Sequence, residues 1–280
     1  MRSCVILVNK PRGLTSNKIV NIVKYFVGAQ KAGHLGTLDK LGEGLLPVTI
    51  NNATKLFADY LNKDKEYIAT FKFGEESASY DLETEINKRE EVDINEQDIL
   101  KVIKKFIGTF DQMPPKYSAK NVNGVRAYTL IQKNREFELT PRTVTIHNIE
   151  LLKKIDKNKY QFKIHCSSGT YIRSLCRDMA EQLSTCGVMY DITRTRCGEF
   201  LLKDSYTLKD IEDNNFNVIS LESIFKFSKI KLQKEEIEKI LQGVKLPTRL
   251  VDGDYLIYNE DDFFGVGYVE SGLIRMKIKN

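Results

Sequence analysis

The chain has 280 residues, of which 41% are apolar and 29% charged, and it carries a net charge of +5. This composition is typical of a globular protein and excludes a disordered one, and the length favours one large domain with a small appendage. No apolar run approaches the roughly 20 residues that span a bilayer. The mild positive charge permits a polyanionic partner without requiring one.

The cysteines contain no C-x-x-C pair and are odd in number: Cys4, Cys166, Cys176, Cys186 and Cys197. We therefore expect free thiols in a reducing compartment and no metal site. An apolar segment at residues 4–8, predicted to be a buried strand, follows the first three residues directly. This opening predicts no signal peptide and a cytoplasmic location.

The first fifty residues follow a strand, helix, strand pattern. Ser16 is the predicted N-cap of the helix, and Gly28 is predicted to end it. Residues 66–74 have the composition of a strand. Asn95 is predicted to cap a second helix with a regular apolar face, which ends at Gly108.

Periodicity disappears over residues 111–128, where lysine and arginine alternate with tyrosine. Composition alone leaves two interpretations open. The segment is either a solvated loop or a flexible arm that closes on a polyanion, with tyrosine rings stacking and basic groups meeting phosphates.

Two strands are predicted at residues 144–152 and 159–166, followed by an amphipathic helix that begins at residue 172 and by strands near 187–193 and 197–203. His165 falls on the polar side of its strand and is predicted to be a surface residue, while His147 is expected to be structural. The elements show no regular βαβ alternation, so the predicted fold class is α+β.

The character of the chain changes after residue 225. A lysine-rich stretch contains a short predicted helix at residues 234–241, and short strands follow. Residues 226–280 are therefore predicted to form a small β-rich second domain, near the lower size limit for independent folding.

The most unusual stretch is glycine-rich, with four glycines at residues 33–44 just before a buried strand. Such a loop turns tightly or lets the backbone approach a ligand closely. It contains His34 and Asp39. From these residues alone, Asp39 is either a turn residue that accepts backbone hydrogen bonds or a reactive carboxylate.

Six segments in order resemble motifs of the TruB pseudouridine synthase family: KPRGLTS at 10–16, GHLGTLD at 33–39, KEY at 65–67, PPKYSA with a later NG at 114–124, GTYIRSL at 169–175 and RTRCGEF at 194–200. The resemblance implies a mixed, largely antiparallel sheet with flanking helices. It also implies a catalytic domain over residues 1–225, an RNA-binding thumb-like insertion near 111–140, and a small PUA-like domain over 226–280.

The implied reaction converts uridine 55 in the T-arm of tRNA to pseudouridine. The glycosidic bond breaks, the uracil turns, and C5 joins the sugar, so no metal or cofactor is expected. Asp39 matches the family's catalytic aspartate, which stabilises or captures positive charge at the sugar. Whether it attacks the sugar, attacks the base or acts as a base toward the ribose stays open.

The resemblance also assigns the surrounding residues. Arg173 is expected to keep Asp39 ionised, although its helical position alone would favour a solvent-facing residue. Tyr67, otherwise an ordinary strand aromatic, is expected to stack on the uracil and to take part in catalysis. Tyr171 and Ile192 match substrate-contacting positions.

His34 is expected to fill the space left when the target uridine flips out of its stack, or else to make a local hydrogen bond. Lys116, Lys120 and Arg126 are the predicted RNA-binding residues. The expected partner is tRNA, bound by a monomer that needs no protein partner or membrane. Three alternatives remain: a tRNA-binding folding factor, a synthase acting on other RNA, and a guide-RNA-dependent relative.

Overall fold

The computed structural model describes residues 2–56, 60, 62–118, 121, 122, 125, 126 and 137–280, with the backbone alone for the four residues 121, 122, 125 and 126. The predicted RNA-binding residue Lys120 and about half of the predicted thumb-like insertion (residues 119, 120, 123, 124 and 127–136) therefore lie outside the described residues. None of the described helices is long and apolar enough to cross a membrane.

The described strands are, in chain order, β1 (Cys4–Lys10), β2 (Ala32–His34), β3 (Glu43–Ile50), β4 (Lys65–Phe73), β5 (Glu75–Ser77), β6 (Ile86–Arg89), β7 (Gly108–Gln112), β8 (Asn121–Val122), β9 (Val125–Arg126), β10 (Arg142–Asp156), β11 (Lys159–Cys166), β12 (Gly187–Cys197), β13 (Phe200–Leu201), β14 (Ile219–Ser220), β15 (Ser228–Lys231), β16 (Leu246–Pro247), β17 (Gly253–Asn259), β18 (Asp262–Glu270) and β19 (Leu273–Lys279).

The described α-helices are α1 (Ser16–Phe26), α2 (Glu96–Phe106), α3 (Ile172–Gln182), α4 (Leu208–Glu212), α5 (Leu221–Ile224) and α6 (Lys234–Leu241). Short 3₁₀ helices cover Asn51–Leu56 and Leu202–Asp204.

The main sheet has the strand order β14-β1-β3-β12-β4-β11-β10-β7, with β2 paired to β3 and β13 paired to β12. Among these strands β12 runs parallel to β3, and the other pairs are antiparallel. Helices α2 and α3 pack on one face of the sheet, where they share a buried apolar cluster with β4 and β11. The predicted α+β class with a mixed, largely antiparallel sheet is confirmed.

The alternating pattern of β11 explains how this sheet separates its faces. Tyr160, Phe162, Ile164 and Cys166 are buried, whereas the residues between them are half-buried on the opposite face. Because successive side chains of a strand point to opposite faces, one face of β11 forms core and the other meets solvent.

The predicted N-cap of α1 was wrong by one residue. Thr15 is the cap, and its hydroxyl accepts a hydrogen bond from the backbone N–H of Lys18 at 3.2 Å. Ser16 lies inside the first turn, where its buried hydroxyl both donates to and accepts from the backbone of Leu38, at 2.8 and 2.9 Å. Asn95 does cap α2, as predicted.

The two strands predicted near 187–193 and 197–203 are one long strand, β12, with only the short β13 folding back on its end. Bulges between Met189 and Asp191 and between Arg194 and Arg196 interrupt the alternation of side chains. Each bulge moves the following residues to the other face, which hides the continuity of the strand from sequence patterning.

The C-terminal strands form a second sheet in the order β15-β17-β18-β19-β16, with α6 packed against it. One side of this sheet does not form a core of its own. Leu256, Val266 and Ile278 join a buried cluster with Val5 and Leu7 of β1. The C-terminal β-domain is therefore attached through apolar contacts with the main sheet, while the predicted boundary at residue 225 stays a prediction.

Candidate active site

The glycine-rich loop between β2 and β3 carries Asp39 and depends on backbone shapes that favour glycine. Gly36 and Gly44 have φ angles of +115° and +94°, and side chains rarely adopt such angles. A Cβ on Gly44 would also lie 2.6 Å from the backbone oxygen of Arg194. The loop therefore needs glycine where β3 and β12 meet as parallel neighbours.

Two buried cations fix the backbone of this loop. Lys10, fully buried at the end of β1, donates to the carbonyl oxygens of Lys40 (3.3 Å) and Gly42. These carbonyls flank Leu41 two residues beyond Asp39. Burial lowers the pKa of Lys10 to about 8, although Asp39 and Glu43 oppose the shift.

Arg194 holds the other side of the loop from β12. It is 1% exposed and donates from Nε to Leu45 O (2.8 Å), from Nη1 to Thr37 O (3.3 Å) and from Nη2 to Gly36 O (3.1 Å). A buried guanidinium thus satisfies three carbonyls that the irregular loop leaves without partners. The backbone around Asp39 is fixed by donors from β1, α1 and β12.

Arg173 of α3 lies between two carboxylates. Its Nε is 3.1 Å from Oδ2 of Asp39, and its Nη1 is 3.4 Å from Oδ2 of Asp81. Nη1 also donates to the backbone oxygen of Ser79 at 3.1 Å. Burial opposes the charge on Arg173, but the two carboxylates outweigh it and raise its pKa. Arg173 could have been a solvent-facing helix residue or the ionic partner of Asp39, and the structure supports the second interpretation.

The two carboxylates differ in their access to solvent. The side chain of Asp39 is 41% exposed, whereas that of Asp81 is 2% exposed. Oδ1 of Asp81 accepts from the hydroxyl of Ser79 (2.5 Å) and from the backbone N–H of Glu83 (2.9 Å). Asp81 is therefore a fixed counter-charge that orients Arg173, and Asp39 is the carboxylate available to a ligand.

Asp39 faces a cavity of about 790 Å³. Its lining includes His34, Arg173, Glu83 and Tyr117. Burial, followed by the nearby Arg194 cation, lowers the pKa of His34, so the imidazole is neutral near pH 7. Burial and the negative charges of Asp81 and Asp39 raise the pKa of Glu83.

Tyr67 and Ile192 lie in the apolar cluster behind this cavity, together with Leu38, which lines it. The Tyr67 side chain is buried, and burial raises its pKa strongly even though the nearby Arg194 cation opposes the shift. Neither Tyr67 nor Ile192 contributes to the described lining of the cavity. The predicted contact of these two residues with a base stays a prediction.

Tyr171 precedes α3, and its backbone is held by Gln112, which donates to Tyr171 O (3.2 Å) and accepts from Tyr171 N (2.8 Å). Lys116 lies at a separate pocket with Tyr80 and Arg177. Arg126 falls in β9, of which only the backbone is described. The structure thus brings His34, Asp39 and Arg173 together, and leaves the RNA-binding residues as a prediction.

Sequence reasoning missed four residues of this site: Lys10 and Arg194, which shape the loop, and Asp81 and Glu83, which add negative charge beside Arg173. Lys10 and Arg194 lie within segments that resemble family motifs, so the sequence pointed to these positions but not to what the residues do there. Asp81 was assigned no role because its partner is 92 residues away in the sequence.

Comparison with known proteins agrees with this geometry. The family model described as TruB family pseudouridylate synthase (N terminal domain) matches residues 24–172. A "tRNA pseudouridine synthase B" of Clostridium tetani (strain Massachusetts / E88) is 37% identical over 273 residues, covering 94% of each chain. A protein of the same name from Mycoplasma mobile is 36% identical over 276 residues, covering 98% of this chain and 93% of the relative.

A solved structure, that of the archaeal box H/ACA sRNP Nop10–Cbf5 complex, superposes with a TM-score of 0.66 at 22% identity, covering 99% of this chain and 85% of that chain. This likeness extends to the fold of the C-terminal β-domain. The family match over more than half of the chain and the identity over nearly its whole length lead to one conclusion: this chain belongs to the TruB family of pseudouridylate synthases.

Proposed function

We propose that this chain is an isomerase that converts uridine 55 in the T-arm of tRNA to pseudouridine. One observation carries the proposal: Asp39 is ion-paired to the buried Arg173 at 3.1 Å and still exposes its carboxylate to the cavity. Membership in the family, and the names of the relatives, supply the substrate class.

The geometry suits the charge that the reaction creates. Breaking the bond between N1 and the sugar develops positive charge at C1′, which a carboxylate stabilises or captures. Arg173 uses Nε for Asp39 and Nη1 for Asp81 and Ser79, so the guanidinium is anchored on its far side. This anchoring holds the Asp39 carboxylate in place before the substrate arrives, which lowers the cost of reorganisation.

His34 has the properties that base flipping requires. The target uridine must leave its stack, at a cost of about a few kcal/mol. A neutral, planar imidazole that already lines the cavity can occupy the vacated space without bringing a charge into the stack. Tyr67 would support the flipped uracil from the apolar side of the cavity, and Tyr171 and Ile192 would contact the same nucleotide.

The arm around residues 111–140 and the C-terminal β-domain would extend the contact with tRNA, using Lys116, Lys120 and Arg126 against phosphates. We propose that the enzyme acts in the cytoplasm as a monomer, without a cofactor. The combination of Asp39, Arg173 and Asp81 separates this function from that of a folding factor, because binding alone does not require a preoriented carboxylate.

The direct test is single-turnover reaction of the purified protein with an unmodified tRNA transcript, followed by chemical mapping of pseudouridine. We expect modification at position 55 and none in a matched transcript that carries cytidine there. Modification elsewhere, or none, would contradict the proposal.

Asp39→Asn tests the role of the carboxylate. The change is nearly isosteric but removes the charge, so isomerisation should fall by on the order of 10⁴-fold or more. Filter binding should show tRNA affinity within a few-fold of the parent. Substantial turnover by this variant would overturn the mechanism, whereas equal binding with no turnover excludes a folding factor as the sole function.

His34→Ala tests the flipping step. We expect a loss of roughly 10- to 100-fold in single-turnover rate, equivalent to about 1.4–2.7 kcal/mol. A substrate in which the target uridine is already unstacked should recover part of the rate. Equal losses on both substrates would assign His34 to loop structure instead.

A further inference from the structure

A cluster of two histidines and an aspartate lies on the face of the main sheet opposite α3, away from the cavity. His147 is on β10, His165 is on β11, and Asp64 directly precedes β4. These strands are neighbours in the order β4-β11-β10. Sequence spacing gave no sign of the cluster, because strand pairing alone brings the three residues together.

The cluster is compact enough for metal ligation. Nε2 of His147 is 3.2 Å from Oδ2 of Asp64, and Nε2 of His165 is 3.8 Å from the same oxygen. All three atoms lie within 4.8 Å of one another. Zinc binds nitrogen and oxygen at about 2.0–2.1 Å, so tetrahedral geometry separates its ligand atoms by about 3.3 Å. Small movements of these three side chains would bring their ligand atoms to this separation.

We propose that Asp64, His147 and His165 bind a divalent transition metal, with zinc as the best match. Two imidazoles and a carboxylate favour zinc-type metals over calcium or magnesium, which prefer oxygen ligands. The side chains of Asp64 and His147 are 45% and 36% exposed, so the metal would be reachable and would keep a position for water.

Arg196 would compete with the metal for His165. Its Nη2 lies 2.6 Å from Nε2 of His165. A guanidinium can only donate, so this contact requires a lone pair on Nε2, which is the same lone pair that a metal would bind. Metal binding therefore requires Arg196 to turn away, and its charge limits the affinity.

The metal would have a mechanical effect on the sheet. It would cross-link Asp64, which precedes β4 and lies three residues before Tyr67, to strands β11 and β10. Because the metal binds the folded arrangement and the unfolded chain only weakly, binding stabilises the fold. This inference concerns stability and does not rest on the proposed function.

The test uses the full-length protein with Cys186→Ser as the parent, because the other four cysteines are buried and Cys186 is half-exposed. After chelator treatment and its removal at pH 7.5, zinc binding is measured by calorimetry, and Co²⁺ is added as a spectroscopic probe. We expect one zinc per chain, a visible Co²⁺ spectrum typical of nitrogen and oxygen ligands, and a rise in Tm with zinc concentration.

His147→Gln and His165→Gln should each weaken binding at least about tenfold, whereas Arg196→Met should tighten it by about tenfold. The gain expected for Arg196→Met cannot arise from misfolding. His34→Gln changes the third histidine of the chain and should leave the affinity unchanged. Unaltered affinity in the two cluster histidine variants, or weaker binding by Arg196→Met, would overturn the site.

Discussion

The Asp39 loop and the contact between the two sheets both involve β3, yet they are held by different kinds of interaction. In the loop, Lys10 and Arg194 donate hydrogen bonds to backbone carbonyls. Between the sheets, Leu256 and Val266 share a buried apolar cluster with Val5 and Leu7 of β1. Leu45 belongs to both regions, since its carbonyl accepts from Arg194 and its side chain lies in the shared cluster.

The difference explains what each region can tolerate. Hydrogen bonds depend steeply on distance and angle, so the donors of the loop specify one backbone path. The free energy of apolar burial does not depend on direction and is roughly proportional to the buried area. The contact between the sheets therefore keeps them close together without fixing one backbone path. A change in the loop should therefore affect catalysis first, and a change between the sheets should affect stability first.

Among the changes that leave Asp39 in place, Arg194→Met should have the largest effect on the reaction rate. It leaves the carbonyls of Gly36, Thr37 and Leu45 without a donor, at a cost of about 3 kcal/mol in the free energy of unfolding. A shift of the loop by about 1 Å should lower the single-turnover rate about a hundredfold or more. Chemical denaturation and single-turnover kinetics measure the two effects.

Arg12→Met is the matched control. Arg12 is exposed and paired with the exposed Asp191, so its loss should change stability by less than about 1 kcal/mol. If both variants kept the parent's rate, the idea that buried donors set the position of Asp39 would be wrong.

Leu256→Ala and Ile257→Ala compare the two faces of β17. Each should lower the free energy of unfolding by about 2–4 kcal/mol, because both side chains are buried. Only Leu256 belongs to the cluster shared with β1, whereas Ile257 packs within the C-terminal unit. Hydrogen exchange at Val5 and Leu7 should therefore accelerate in Leu256→Ala and not in Ile257→Ala. The single-turnover rate of bound tRNA should stay within a few-fold in both.

Among the changes to buried residues, Lys10→Met should have the smallest effect at pH 7, about 1–2 kcal/mol for the lost donor. Its pH dependence is the informative measurement. Burial lowers the pKa of Lys10 to about 8 in the folded protein, against 10.5 ordinarily. Between these values the unfolded chain binds more protons, so the stability that Lys10 contributes rises with pH from about 8 to 10.5.

The stability gap between parent and Lys10→Met should accordingly widen by on the order of 2 kcal/mol across that window. Urea denaturation at pH 7, 8.5 and 10 measures it. A gap that stays constant over these values would mean that the Lys10 amine is not desolvated.

Local patterns predicted those parts of the fold that depend on neighbours in sequence. Asn95 and the apolar face of α2 lie within one helix, and the alternation of β11 lies within one strand, so both could be recognised directly. The N-cap of α1 was misplaced because Thr15 and Ser16 are equally suitable caps in sequence. Only the position of Leu38 explains why the Ser16 hydroxyl is used elsewhere.

The candidate site was predictable where a motif carried it and not where distant segments meet. Asp39, His34 and Arg173 were found by resemblance, and the structure brings them together. Asp81 reaches Arg173 only because the turn after β5 lies beside α3, and the cluster of Asp64, His147 and His165 exists only because β4, β11 and β10 are neighbours. Neither arrangement has a sequence period that could reveal it.

The cluster shared by the two sheets has a consequence during synthesis on the ribosome. Val5 and Leu7 of β1 pack against residues that follow them by about 250 positions. At roughly 5–20 residues per second, the part of this cluster that the C-terminal strands supply arrives about 12–50 s after β1. Leu35, in the loop that carries Asp39, belongs to the same cluster. The nascent chain therefore passes through an interval in which part of this apolar cluster, including Leu35, lacks its C-terminal partners, and this exposed apolar surface is a natural client for chaperones.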